Sequence, residues 1–136
     1  MKDKVFVDTN IFVYAYTDGK INKHKIAKEF LQDPCNTIVI STQVLSELYS
    51  TLLKLDIEHD KAVSAIDEIL KYCTVESVNL KTVKGALTLK KRYGFNYWDT
   101  LILSSALENN CKLIISEDML HNQTIDNSLT ITNIFA

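Results

Sequence analysis

Lys4-Val5-Phe6-Val7-Asp8-Thr9-Asn10-Ile11-Phe12-Val13-Tyr14 is the stretch on which the fold turns. Val5 to Val7 is a β-branched and aromatic run that reads as a buried strand. A second apolar run follows at once, and Ile11 to Tyr16 reads as a short helix. Between the two stand Asp8, Thr9 and Asn10. A carboxylate caught between two apolar segments is not on a solvated face. Its burial costs several kcal/mol unless it is paired or holds a cation. Asp8 therefore has two readings from this stretch: a helix cap, as Asp often is, or a group that binds a cation.

Outward from this stretch, short apolar segments alternate with helical ones. His24 to Gln32 reads as a helix stopped by Asp33-Pro34, and Thr37 to Ile40 as a strand. Ser41 or Thr42 can cap the next helix, which runs to about Leu55 with Val44, Leu45, Leu48, Leu52 and Leu53 at helical period. Lys61 to Tyr72 is a further helix, Thr74 to Val78 a strand, and Thr82 to Arg92 a helix ended by Tyr93-Gly94. Tyr97 to Glu108 is a strongly apolar helix, and Leu113 to Ile115 and Leu129 to Thr132 close the series as strands. Short apolar strands alternating with helices predict an α/β fold. Its expected form is a three-layer α/β/α domain over residues 1–136, with a short, mostly parallel central sheet.

The composition is that of an ordinary globular chain: 136 residues, 46% hydrophobic and 24% charged, with Gly at 3 and Pro at 1. Net charge is -2, so no global basic field of the kind that marks many nucleic-acid binders is present. A nucleic-acid partner has to be held by a local patch or by metal ions, and weak substrate binding without metal is expected. Cys35, Cys73 and Cys111 are far apart and share no metal spacing with His24, His59 or His121. They read as reduced, mostly buried thiols of a cytoplasmic protein. No apolar run reaches membrane-spanning length, so no membrane partner is expected. The lysines at 20, 23, 25 and 28, and the cluster Lys90-Lys91-Arg92, read as solvated helix faces.

In an open parallel sheet, ligands bind outside the carboxyl ends of the strands. Asp8 and Asp118 both follow strands there, and Glu47 lies in the first two turns of the helix that leaves the second strand. Glu47 is the only charged residue before Lys54 on a face with Gln43, Ser46, Ser50 and Thr51, which suits a cleft wall as well as a solvated face. Asp99 falls at the third helical position if Asn96 caps its helix, a place that a carboxylate favours for purely structural reasons. Four converging carboxylates raise one another's pKa and need a counter-charge. The one Arg, Arg92, is seven residues before Asp99, so the natural partner is a hard divalent cation, Mg²⁺ or Mn²⁺, bound through oxygen. Such a site can activate water and stabilise the leaving oxygen of a phosphodiester.

Val7-Asp8-Thr9-Asn10, Ser46-Glu47-Leu48, Tyr97-Trp98-Asp99-Thr100-Leu101-Ile102 and Ile115-Ser116-Glu117-Asp118 stand in the order and spacing of the PIN-domain nucleases. The whole chain resembles a VapC-type toxin, the ribonuclease half of a type II toxin–antitoxin pair. The resemblance implies a metal-dependent endoribonuclease in which Asp8, Glu47, Asp99 and Asp118 hold Mg²⁺ or Mn²⁺. Thr9, Asn10, Ser116 and Glu117 stand at supporting positions. It also implies an RNA substrate, a cognate antitoxin that covers the acidic groove, and a homodimer. One departure bears on whether the site takes one ion or two. Many members carry a further acid just after the position of Asp118, whereas Met119-Leu120-His121-Asn122 offers none.

Two other classes compete. Haloacid-dehalogenase-like phosphatases also begin with a strand ending in Asp, but they need a second Asp two residues on, where this chain has Asn10. A receiver domain would need paired early acids beside a mid-chain phosphoacceptor Asp. A non-catalytic module of the same fold, binding RNA or protein, would be expected to have lost some of the four acids.

Overall fold

A computed structural model describes residues 3–136. Five parallel strands and one antiparallel edge strand form a single sheet. They are β1 (Asp3–Val7), β2 (Asn36–Ser41), β3 (Cys73–Glu76), β4 (Leu113–Ile115), β5 (Thr124–Ile125) and β6 (Leu129–Thr132). Their order is β3-β2-β1-β4-β6-β5, with β1 at the centre. Between them run α1 (Thr9–Tyr16), α2 (Ile21–Gln32), α3 (Thr42–Lys54), α4 (His59–Tyr72), α5 (Leu80–Tyr93) and α6 (Tyr97–Glu108).

Val5, Phe6 and Val7 are buried, as a strand covered on both faces requires. Parallel crossovers are right-handed. The steps β1 to β2 to β3 go one way along the sheet, and β3 to β4 returns across it. The helices of the outward steps, α1 to α4, therefore cover one face, and α5 with α6 covers the other. The packing agrees: α1 lies on α2 and α3, α3 on α4, and α5 on α6. The chain is thus the three-layer α/β/α fold expected from its sequence.

This topology creates the crevice. The connections leaving β1 and entering β4 lie on opposite faces, so the carboxyl ends of these neighbouring strands form a topological switch point. The register pairs Val7 with Ile115, and Asp8 N donates to Ile115 O at 2.9 Å. Asp8 and Ser116 are thereby set side by side. Helix α6 is buried along Thr100 to Ala106, which fixes the turn carrying Asp99.

The structure departs from the sequence reading at several edges. Helix α2 starts at Ile21, not His24; Ile21 is exposed, so no apolar periodicity marks the first turn. Helix α4 starts at His59 rather than Lys61, and β3 spans Cys73–Glu76 rather than 74–78. Helix α5 starts at Leu80: Asn79 caps it, and Thr82, read as the start, is the third helical residue of a capping box. Neither Ser41 nor Thr42 caps α3 with its side chain. Ser41 Oγ is buried without a partner among the described residues, and Thr42 Oγ1 instead accepts from Val78 N at 3.2 Å. The two-residue strand β5 carries too little pattern to be read. Cys35 is exposed in the turn after Pro34, while Cys73 is half-buried and Cys111 buried.

Gly85 lets α5 approach α6. A Cβ there would meet Ser104 Oγ at 2.4 Å, and that hydroxyl donates to Thr82 O at 2.8 Å in the core. Gly85→Ala alone should destabilise the fold, by about 1–2 kcal/mol, by displacing this hydroxyl from its bond. In a Ser104→Ala background the same change should stabilise, by up to about 1 kcal/mol of helix propensity. Urea midpoints of the four proteins check the predicted reversal of sign; equal effects in both backgrounds would contradict it.

Candidate active site

Asp8 is only 4% exposed. It does cap α1, since its Oδ1 accepts from Thr9 N at 2.7 Å. The cap uses one oxygen. The other, Oδ2, accepts from Ser116 Oγ at 2.7 Å and faces Asn10 Nδ2 at 3.4 Å. Burial pushes the Asp8 carboxyl up to about 7, and the charges of Glu47 and Asp99 push the same way. The bonds from Ser116 and Thr9 pull it down but do not prevail. No Lys, Arg or His among the described residues forms an ion pair with it.

A cleft of about 650 Å³ opens above Asp8, and Glu47, Asp99 and Asp118 line it too. The four acids thus come from the end of β1, from α3, from α6 and from the segment after β4. Thr9 Oγ1 donates to Glu47 Oε1 at 2.9 Å. Asp99 follows the Asn96 cap, as the sequence predicts, yet its own carboxylate bonds to no described residue. Burial, then the charges of Asp118 and Glu47, raise its pKa above the usual range. Asn10 bridges the crevice. Its Nδ2 donates to Asp118 Oδ2 at 3.1 Å and its Oδ1 accepts from Glu117 N at 3.2 Å. Ser116 Oγ, besides donating to Asp8, accepts from Asp118 N at 3.2 Å.

Glu117 is drawn aside. It is ion-paired with Lys23 and accepts from Tyr14 Oη at 2.5 Å. Burial pushes its carboxyl up, but the bonds from Lys23 and Tyr14 outweigh this and hold it below the usual range. Lys23, read from the sequence as part of a solvated face, also sits over the rings of Tyr14 and Phe135. No local pattern links Lys23 to a partner so far along the chain. Two further polar side chains gain a place here: Gln43, within 3.5 Å of Glu47 Oε2, and Lys54, on the cleft wall.

Asp8, Glu47, Asp99 and Asp118 are the side chains that could hold a metal. They offer oxygen alone, the donor set of Mg²⁺ and Mn²⁺. No three His, Cys, Asp or Glu side chains among the described residues are gathered closely enough to enclose an ion by themselves. Mg²⁺ usually keeps several waters and takes one or two carboxylates directly, so further acids of the four would act through bound water. A hollow of about 660 Å³ lies elsewhere, against Tyr16, Glu68 and Tyr72, but Glu68 there is bonded to Tyr16.

A carboxyl whose pKa rises on folding binds its proton more tightly in the native state. Its contribution to stability is greatest below the unfolded value, about 4, and is lost as pH rises toward 7. In chelator, Asp8→Asn should therefore gain stability relative to wild type between pH 4.5 and 7.5. Paired urea titrations measure this; a difference independent of pH would contradict the protonation of Asp8.

The fold and these acids agree with what is found among known proteins. A family model described as PIN domain matches residues 5–124, a span that contains all four acids. No curated protein matches the chain. Among solved structures, Mycobacterium tuberculosis VapC20, a toxin that cleaves the sarcin-ricin loop, is 21% identical with a TM-score of 0.69, over 81% of this chain and 86% of that one. VapBC2 from Rickettsia felis, bound to a DNA fragment from its promoter, is 23% identical with a TM-score of 0.68, over 96% and 99%. VapBC-1 from nontypeable Haemophilus influenzae is 19% identical with a TM-score of 0.67, over 98% and 99%. At such identities the structures attest the fold, while the family match spans most of the sequence, and by it the chain belongs to the PIN-domain family.

Proposed function

We propose that this protein is a Mg²⁺- or Mn²⁺-dependent endoribonuclease and the toxin of a toxin–antitoxin pair. One observation carries the reading: four carboxylates from four separate elements share one cleft, and none has an ion-pair partner among the described residues. Acids kept together without an ion-pair partner are costly to the fold and useful to a cation.

Asp8, Glu47, Asp99 and Asp118 would hold the ion, which supplies activation of water and neutralisation of charge on the phosphodiester. Asp8 is anchored by Ser116 and by the first turn of α1, so it enters the site with a fixed orientation. Thr9 orients Glu47, and Asn10 orients Asp118. Glu117 also lines the cleft, but Lys23 and Tyr14 engage its carboxylate, so it would hold the segment after β4 rather than the ion. Hydrolysis then adds hydroxyl to phosphorus, breaks one P–O bond and leaves the proton on the departing sugar oxygen.

The partner assignments rest on likeness. The Rickettsia felis and Haemophilus influenzae structures are toxin–antitoxin complexes, which supports a cognate antitoxin here. Leu53, Leu55 and Leu70 stay exposed around α3 and α4, and their apolar surface supports a homodimer. No helix among the described residues is long and apolar enough to cross a membrane; action in the cytoplasm is what the toxin reading implies.

Cleavage of RNA by wild type in Mg²⁺ or Mn²⁺, abolished by chelator, is the test. Asp8→Asn should lower the rate at least about a hundredfold, and Asn10→Ala about 10- to 100-fold, the usual range for a residue that orients a metal ligand. Equal cleavage by wild type and Asp8→Asn would refute the site. RNA bound but cut by neither would make the protein a binding module.

A further inference from the structure

Glu117 lines the cleft beside the other four acids, yet it alone of these acids is met by a base of the same chain. That base, Lys23, is the third residue of α2. The positive end of a helix disfavours a cation, so Lys23 needs compensation from its surroundings. It has this on several sides. Its ammonium pairs with Glu117 Oε1 and lies over the rings of Tyr14 and Phe135, at 5.1 Å and 5.5 Å from their centroids. Those two rings meet edgewise, 5.2 Å apart. An ammonium set against two rings and a carboxylate is held by cation–π attraction as well as by charge. His24 Nδ1, 2.9 Å from Tyr14 O, ties the same turn of α2 to α1. Glu117 Oε2 meanwhile accepts from Tyr14 Oη at 2.5 Å. Both oxygens of Glu117 are thus occupied.

The backbone of this segment is held separately. Glu117 N donates to Asn10 Oδ1 at 3.2 Å, and Asp118 N donates to Ser116 Oγ at 3.2 Å. Neither bond involves Lys23. Removing the ammonium therefore leaves Asp118 anchored and releases one carboxylate that already borders the cleft.

We propose that Lys23 is an internal counter-ion that competes with the metal for Glu117, and so keeps the cleft to four acids. The inference rests on the metal-dependent reading and deepens it, by naming a residue outside the lining of the cleft that sets how tightly the ion is held. Affinity for a hard divalent cation is tuned by the charge of its oxygen ligands. An ammonium offers donors alone, so Lys23 withholds a ligand and cannot replace one. Its removal should therefore strengthen metal binding, the reverse of what losing a structural contact does.

The test is Mn²⁺ affinity, read from the paramagnetic resonance of free Mn²⁺ at pH 8.5. It is run in about 1 M KCl, where the screening length is about 3 Å and a distant change of charge counts for little beside a ligand. Lys23→Met, which keeps the apolar stem, should bind Mn²⁺ about tenfold more tightly than wild type. Glu117→Gln alone should stay within about twofold of wild type, and the double variant should lose the gain. Lys23→Arg, which restores the pair, should restore wild-type affinity. A lysine that merely props the fold would weaken binding when removed, with or without Glu117. Should Lys23→Met lack a cooperative urea transition, Lys23→Gln takes its place with the same expected gain. Unchanged or weaker binding in the Lys23 variant would overturn the proposal, as would a gain that survives Glu117→Gln. Saturable binding by wild type in those cases leaves the metal-dependent reading standing. No saturable binding to any of the proteins would overturn that reading and this inference together.

Discussion

Everything at this site depends on one buried carboxylate. Asp8 is delivered by the central strand, capped into α1 by one oxygen and bonded to Ser116 by the other. A carboxylate so enclosed, without a base, is pushed toward its neutral form. A cation in the cleft would favour its charged form, and the fold places Glu47, Asp99 and Asp118 around the same opening. The same residue that begins a helix therefore also begins a site, because capping consumes only half of its hydrogen-bonding capacity.

The distribution of the other charges sharpens this. Three bases are engaged elsewhere, Lys23 with Glu117, Arg92 with Asp126 and Lys112 with Asp3, and Lys54, on the cleft wall, forms no ion pair with the four acids. The Arg92 and Lys112 pairs are the more exposed, and each contributes little to stability. The Lys23 pair has a second effect, since it removes Glu117 from the set of acids while Asn10 and Ser116 hold Asp118 within it. Two adjacent acids, Glu117 and Asp118, thus take opposite roles because their neighbours differ.

Much of this was legible in the residues. The switch from apolar strand to apolar helix at Asp8, and the rule that ligands meet the carboxyl ends of parallel strands, were enough to bring Asp8, Glu47 and Asp118 to one edge. Asp99 was legible in position, as the third residue after an Asn96 cap, but position alone did not say that its carboxylate ignores the cap and faces the cleft. What stayed hidden depended on distant partners. Lys23 looks like any surface lysine until Glu117, Tyr14 and Phe135 are folded against it. Gln43 looks like a polar helix residue until Trp98 and Glu47 flank its amide. Helix starts at Ile21 and Leu80 were missed because exposed apolar residues in a first turn leave no periodic trace. The side chains of Ser41 and Thr42 proved idle as caps because one is buried in the sheet and the other is taken by Val78.

The most direct measurement of the central claim is the proton count of metal binding. Mn²⁺ can be titrated calorimetrically into wild-type protein at pH 6, and again at pH 8.5, in buffers of different ionisation enthalpy. If Asp8 is a ligand kept neutral by burial, binding at pH 6 displaces a proton and the heat varies with the buffer. At pH 8.5 that variation vanishes, and in Asp8→Asn it is absent at both. Binding of Mn²⁺ to Asp8→Asn with wild-type affinity and proton count, or no saturable binding to wild type at either pH, would contradict the account.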